Sequence, residues 1–376
     1  MWKVLNGLGL ALIAALALSA PASASKQLKG AFFVSPKHPV GQSYQYFADE
    51  IKKETNGELT MRTFPGESLL AAKAISDGLR DQIADLGHLV TTYTPAYFPH
   101  GVLANDLSMV GTDDIAALFA STEQLMLACP ACLAEYAKQG QIPLSGLSIP
   151  AYVIIANGDF NSPEKIKLKK LRAAGPLWDR FCQAVGAVAV NMPTAGMYEA
   201  ISRGTLDGAL YTIGGLKTHG LGDIAKQVIM LNTGSYRAGS VFSMSKATWM
   251  SMTPELRTSL IKVGARANVR GALNFMKGDE EGLKVAKEKN IPVVQPHPEL
   301  LRLRNEFVEN DIHVTIKHAQ EKLGLADAAE YVATFRKLYD KYEKMVKPLE
   351  GDEAKLAELM YKEIYSKLDV NTYGMK

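Results

Sequence analysis

Arg172 ends a strand-like run, Lys169-Lys170-Leu171-Arg172, and is followed at once by the small residues Ala173, Ala174 and Gly175. A guanidinium is planar, permanently charged and able to make two parallel hydrogen bonds to a carboxylate. The chain continues as WDRFCQAVGA, helical in pattern, and then as VAVNMPTAGMYEAISRGTLDGALYT, a further strand–helix–strand stretch that ends on Asp207, Gly208 and Tyr211. Open α/β sheets bind ligands outside the carboxyl ends of their strands. These residue types in this order point to capture of a carboxylate in a cleft; a surface ion pair is the alternative role for the arginine.

Other chemistries find no support in the pattern. There is no HExxH, no GxSxG, no P-loop and no GxGxxG after a strand, and the seven histidines are scattered. Asp279-Glu280-Glu281 falls on a helical pattern and reads as a solvated face. The expectation is no enzyme, no cofactor and no metal site. Cys129 and Cys132 form a lone CxxC without a histidine at ligand spacing, a poor zinc site. It lies between two helical patterns, so a structural disulfide is the first reading, with a redox pair or free thiols as alternatives. Cys182, beside Phe181, reads as a small buried residue.

Residues 1–24 read as an export signal: Lys3 is the positive region, Leu8 to Leu18 the apolar core, and Ala22-Ser23-Ala24 the cleavage site. The apolar run is too short to span a bilayer. Removing the signal takes the formal net charge from +3 to +2, too little to argue for nucleic acid or an anionic membrane. The cluster Lys165, Lys167, Lys169 and Lys170 reads as a solvated edge. The expected location is periplasmic.

The remaining chain shows one pattern twice. A strand over 31–34, a helix over 40–55, a strand over 59–64, a helix over 68–80 and a strand over 84–90 make β–α–β–α–β. Strands over 169–173, 188–191 and 206–211, with helices over 177–185 and 195–203, repeat it. Parallel strands need helical crossovers, so two parallel-sheet lobes follow. Residues 143–157, hinged at Pro150, pass from one lobe to the other, and a strand over 239–244 marks the return. Thr253-Pro254-Glu255 starts a helix that runs to about Asn290, and residues 298–367 are helical in three pieces. The expected architecture is an α/β clamshell of the periplasmic-binding-protein kind with multiple interdomain crossings and C-terminal helices. Lobe I takes 25–150 plus about 237–280, lobe II takes 151–236 plus about 281–350, and 351–376 is a C-terminal helix.

From Phe32 to Lys262 the chain resembles the solute-binding proteins of TRAP transporters, the dicarboxylate-binding type. The stretches that carry the resemblance are HPVGQSYQYFADEIKKETNGELTMRTFPG (38–66), GLRDQIADLGHL (78–89), SPEKIKLKKLRAAG (162–175), NMPTAGMYEAISRGTLDGA (191–209) and KATWMSMTPELR (246–257). The resemblance implies a receptor that closes on an organic acid and delivers it to a small and a large membrane subunit. It also implies that Arg172 pairs with the ligand carboxylate. Many members follow the turn at 206–208 with Gln, Glu and Asn; here Ala209, Leu210, Tyr211 and Thr212 stand there. The family's asparagine position therefore carries a tyrosine or threonine, and a ring at Tyr211 favours a flatter or more apolar organic acid. The alternative is a binding protein of an ABC importer for another solute.

Position on the strands nominates further ligand contacts: Thr92 and Tyr93 past the third strand, Phe33 at the end of the first, Trp178 after Arg172, Tyr198 on the next helix, Tyr211 and Thr212, and Tyr236 with Phe242 on the return crossing. His38 reads as a helix cap. The expected assembly is a monomer or a homodimer.

Overall fold

The computed structural model describes residues 25–349 and 351–375; the expected signal, 1–24, lies outside the described residues. Strand β1 spans Lys26–Ala31 and pairs in parallel with β2, Leu59–Phe64, in register from Lys26↔Leu59 to Ala31↔Phe64. The expected first strand, 31–34, is therefore displaced. Phe32, Phe33 and Val34 leave the sheet at its carboxyl end and are buried there. Between the two strands runs α1, Pro39–Glu54. His38 Nδ1 accepts from Val40 N, Pro39 takes the first helical position, and Lys52 and Lys53 lie in the last turn against the helix dipole. Asn56 and Gly57, both at positive φ, stop the helix. Tyr44, Phe47 and Ile51 form its fully buried stripe, each burial stabilising by roughly 1.5–3 kcal/mol.

The expected helix over 68–80 shortens to α2, Ile75–Arg80, preceded by a single tight turn. Strand β3, Leu86–Val90, follows, then helices α3 (Pro99–Asp106), α4 (Asp114–Glu123) and α5 (Pro130–Lys138) and strand β4 (Gln141–Pro143). Cys129 and Cys132 form a disulfide at the head of α5, and both are buried, which closes the bridge to attack by an outside thiolate.

The second lobe holds β5 (Val153–Ala156), α6 (Pro163–Ile166), β6 (Lys170–Ala173), α7 (Pro176–Ala184), β7 (Val188–Asn191), α8 (Met197–Ser202), β8 (Gly208–Tyr211), α9 (Gly215–Thr218) and β9 (Gln227–Ile229). The chain then returns through β10 (Gly239–Ser245) and α10 (Lys246–Met250) into α11 (Pro254–Glu288). It goes back to the second sheet as β11 (Val293–Val294) and finishes in α12 (Pro298–Lys322), α13 (Ala328–Val346) and α14 (Glu353–Glu363).

The sheets read β2-β1-β3-β10-β4 and β11-β9-β5-β8-β6-β7. Both are mixed rather than parallel throughout. The strands of each β–α–β–α–β unit are parallel, but β10 runs antiparallel to β3 and β4, and β5 antiparallel to β8 and β9. These exceptions are the strands that adjoin the two crossings. The crossings lie side by side: Ile149 N donates to Tyr236 O, Tyr152 N to Gly234 O, and Thr233 N to Tyr152 O. The outgoing crossing is extended but mostly outside the sheets, because its backbone pairs with the return crossing.

Helix α11, capped by Thr253 and 35 residues long, extends about 50 Å. It packs against α1 in the first lobe and α9 in the second. Helix α13 packs on α4, where Tyr339 OH accepts from Thr112 N and Asp113 N. It therefore lies on the first lobe, not with the second as expected for residues up to 350. Its apolar stripe of Tyr331, Phe335, Tyr339 and Tyr342 matches the buried face of α4.

Gly239 opens β10 at φ +125°, and a Cβ there would sit 2.0 Å from Leu89 O. Neither backbone nor neighbour has room. Gly239→Ala is expected to cost more than about 2 kcal/mol. Urea unfolding measures it, and a loss under about 0.5 kcal/mol would show that this strand pair yields to a methyl group.

Candidate functional site

Along β6 the side chains alternate, so Leu171 and Ala173 share one face and Arg172 projects from the other. Arg172 is 1% exposed. Its Nε donates to Met192 O at 3.0 Å; Nη1 reaches Leu210 O and Nη2 reaches Tyr93 OH, both at a long 3.4 Å. Among the described residues no carboxylate comes within ion-pair distance of it. A buried, permanently charged group thus lacks a counter-ion and retains donor capacity at both Nη atoms.

Arg172 lines a small cavity between the lobes together with Phe33, Tyr93, Tyr152, Tyr211 and Tyr236. The first lobe adds His38, His88 and Val90, and α11 adds Phe275. The wall is almost wholly aromatic or aliphatic. Hydrogen bonds cross the cleft: Tyr93 OH, after β3, accepts from Arg172 Nη2 and from Thr194 N of the second lobe. Having accepted twice, that hydroxyl keeps its own proton to donate. The two lobes therefore face each other closed.

A second cross-cleft chain fixes Tyr211. His38 Nδ1 accepts from Val40 N, so the neutral ring carries its proton on Nε2. Nε2 lies 3.2 Å from Tyr211 OH, which lies 3.2 Å from His219 Nε2. The direction follows: His38 donates to Tyr211, and Tyr211 donates to His219. Burial pushes His88 down to about 3; burial and then the charge of Arg172 push His219 down to about 4. His38 also lies well below its usual value, through burial and then its two histidine neighbours. Asp279 is pushed up to about 6 by burial and accepts from Gly214 N at 2.9 Å. At neutral pH the cavity wall carries one charge, on Arg172.

The structure brings Arg172, Tyr211, Tyr93, Phe33 and Tyr236 to this wall. Trp178 lies one layer behind: its ring stacks on Tyr152 and Tyr236, and its Nε1 donates to Thr233 O. Thr92 Oγ1 bonds Tyr236 OH at 2.9 Å and so supports a wall residue from behind, while Thr212 is paired with Asp279 of α11; neither lines the cavity. Tyr198 lies away from the wall, against the Gly220 turn. Phe242 packs on Tyr44 and Phe47 in the first core. His38 is the helix cap it was expected to be and lines the cavity as well.

Sequence reasoning passed over Tyr152, His88, His219 and Phe275. Tyr152 had a signal, because it follows the Pro150 hinge on the outgoing crossing. His88 had another: Gly87 faces α2, so alternation turns the one polar residue of an apolar strand to the opposite side. Among the described residues no group of three or more His, Cys, Asp or Glu is placed to hold a metal ion.

Comparison with known proteins supplies the context. The family profile described as bacterial extracellular solute-binding protein, family 7, matches residues 31–316. The chain is 24% identical over 301 residues to the C4-dicarboxylate-binding periplasmic protein DctP of Rhodobacter capsulatus, covering 78% of this chain and 84% of that one. A TRAP solute binding protein from Rhodoferax ferrireducens, solved in complex with copurified benzoate, superposes with a TM-score of 0.76 at 20% identity, covering 86% of this chain and 100% of its own. A marine metagenome TRAP solute binding protein specific for aromatic acid ligands, in complex with 3-hydroxybenzoate, also superposes with a TM-score of 0.76, at 22% identity over 85% of this chain and 99% of that one.

The histidine shifts set a pH dependence. A histidine held neutral by the fold binds its proton later than the unfolded chain does, so its contribution to stability is complete above pH about 6.5. It is lost as pH falls from there toward the folded value, about 4 for His219. His219→Gln is expected to shrink the loss of unfolding free energy between pH 7 and pH 5 by up to about 2 kcal/mol. Urea titrations at the two pH values measure this; equal losses in both proteins would refute it.

Proposed function

The chain belongs to family 7 of the bacterial extracellular solute-binding proteins, the solute receptors of TRAP transporters, and from that premise we propose that it captures a small organic acid between its lobes and delivers it to the transporter's membrane subunits. The observation that carries this reading is Arg172: a buried guanidinium without a protein carboxylate, with both Nη atoms weakly engaged, on the wall of an interlobe cavity. A ligand carboxylate supplies the missing charge and takes both donors. Tyr93 OH supplies a third hydrogen bond. Closure excludes water and strengthens the ion pair.

The rest of the wall favours one carboxylate on a flat or apolar body. A dicarboxylate, the class named for the Rhodobacter capsulatus relative, brings a second anion to a wall whose other residues are tyrosines, neutral histidines, one threonine and apolar side chains. The aromatic acids held by the two superposed receptors fit it better, with one charge for Arg172 and a ring for Phe33, Tyr152, Tyr236 and Phe275. The export signal in 1–24 supports a periplasmic location, outside the membrane that holds the transport subunits.

Calorimetric titration of residues 25–376 with aromatic and aliphatic mono- and dicarboxylates tests the proposal. Monocarboxylates with a ring are expected to bind, and Arg172→Ala to weaken them by roughly 2–5 kcal/mol. Arg172→Lys keeps the charge without the planar fork and is expected to recover only part of the loss. Undiminished affinity in Arg172→Ala would sink the assignment.

A further inference from the structure

His88 is 5% exposed, lines the same cavity as Arg172, and has no hydrogen-bond partner at Nδ1. Leaving a buried polar atom unpaired costs roughly 1–3 kcal/mol, which is why native structures rarely do so without a reason. The ring is held in place. It stacks on Phe33 with centroids 5.0 Å apart, and Phe33 in turn packs 5.7 Å from Tyr93, whose hydroxyl meets Arg172. Other polar groups of the wall already have partners within the protein. Tyr211 OH lies between His38 and His219, and Tyr236 OH between Thr92 Oγ1 and Ala238 O.

We propose that the solute carries, besides its carboxylate, a hydroxyl group that pairs with His88, so that His88 sets specificity for hydroxylated over unsubstituted acids. This rests on the reading of Arg172 as the carboxylate partner. A hydroxyl suits an imidazole nitrogen in either tautomer, because it donates to a bare nitrogen and accepts from a protonated one. A second carboxylate suits it less, since the ring stays neutral well below pH 7 and offers no charge. A plain hydrocarbon end leaves Nδ1 unpaired. Sites built to hydrogen-bond a substrate hydroxyl reject the analogue that lacks it far more strongly than apolar pockets reject a missing methylene.

The placement adds a consequence for closure. Arg172 comes from β6 of the second lobe and His88 from β3 of the first. A hydroxy acid held at both ends therefore adds a second tie between the lobes, besides the one at its carboxylate, where Arg172 and Tyr93 already meet. Recognition of the hydroxyl thereby favours the closed arrangement over an open one.

The test is calorimetric titration with benzoate against 3- and 4-hydroxybenzoate, and phenylacetate against 3-hydroxyphenylacetate. In the unaltered protein at least one hydroxy acid is expected to bind about 10- to 100-fold tighter than its parent, the range of one good hydrogen bond to a buried partner. His88→Phe keeps a flat ring for the stack on Phe33; it is expected to abolish that preference, bringing the hydroxy acid and its parent to the same affinity. His88→Gln, which keeps a hydrogen-bonding side chain, is expected to restore part of the preference, which a merely structural role would not do. Equal binding of parent and hydroxy acid, a preference that survives His88→Phe, or no binding of any of these acids would each overturn the inference. Arg172→Ala measured alongside separates the two ideas. If it abolishes binding while no hydroxyl preference exists, only the role of His88 fails; if it changes nothing, the carboxylate reading fails first.

Discussion

A guanidinium taken out of water must be compensated, and at Arg172 the protein provides carbonyls and phenols but no carboxylate. That one incomplete ion pair orders much of what surrounds it. It requires a strand end that points the side chain into the cleft, which β6 supplies through its alternation. It requires water to be kept away, which the aromatic wall and the closed lobes supply. Burial in the same dry wall keeps the three histidines of the site neutral, with the charge of Arg172 adding to the effect at His219, so they act through hydrogen bonds rather than charge.

The sequence was informative where function rests on local pattern. Arg172 was legible because a strand, a charge and a run of small residues coincide within seven positions. The repeated strand–helix units were legible from periodicity, and the caps at His38 and Thr253 from residue type alone. Mixed sheets were not, because the direction of β10 and β5 depends on which crossing feeds them. The inner wall was legible only in part. Trp178, Thr92 and Thr212 were nominated by their place at strand ends, yet they stand one layer back, since position along a strand fixes the end of the sheet but not the depth. The contact between His38 and Tyr211 joins residues 173 positions apart, and no window of sequence holds both.

The lobes are tied by more than the two crossings. Arg180 on α7 makes a bidentate pair with Asp311 on α12 and reaches Asp106 on α3 at 3.2 Å, so one guanidinium joins both lobes to the C-terminal helices. Burial pushes Asp106 up to about 6 even beside this partner, so the cluster holds its shape at some electrostatic cost. Unlike Arg172, this arginine has its carboxylates supplied by the protein. A half-buried arginine with its carboxylates supplied and a buried one without any separate a structural joint from a site that waits for its anion.

Helix α11 carries glycine at 264, 271, 278 and 282. A Cβ at Gly264 would lie 2.9 Å from Leu144 O, and one at Gly282 would lie 2.3 Å from Ile213 O. Ile213 stands two residues beyond Tyr211, and Asp279 of the same helix holds Gly214 N. The helix rooted in the first lobe thus acts as a gauge block for the second. The height at which the strand end carrying Tyr211 meets the cleft is set by bare backbone resting on backbone. A side chain added at Gly282 would press on Ile213 and move the strand end that carries Tyr211 without itself touching a residue that lines the site.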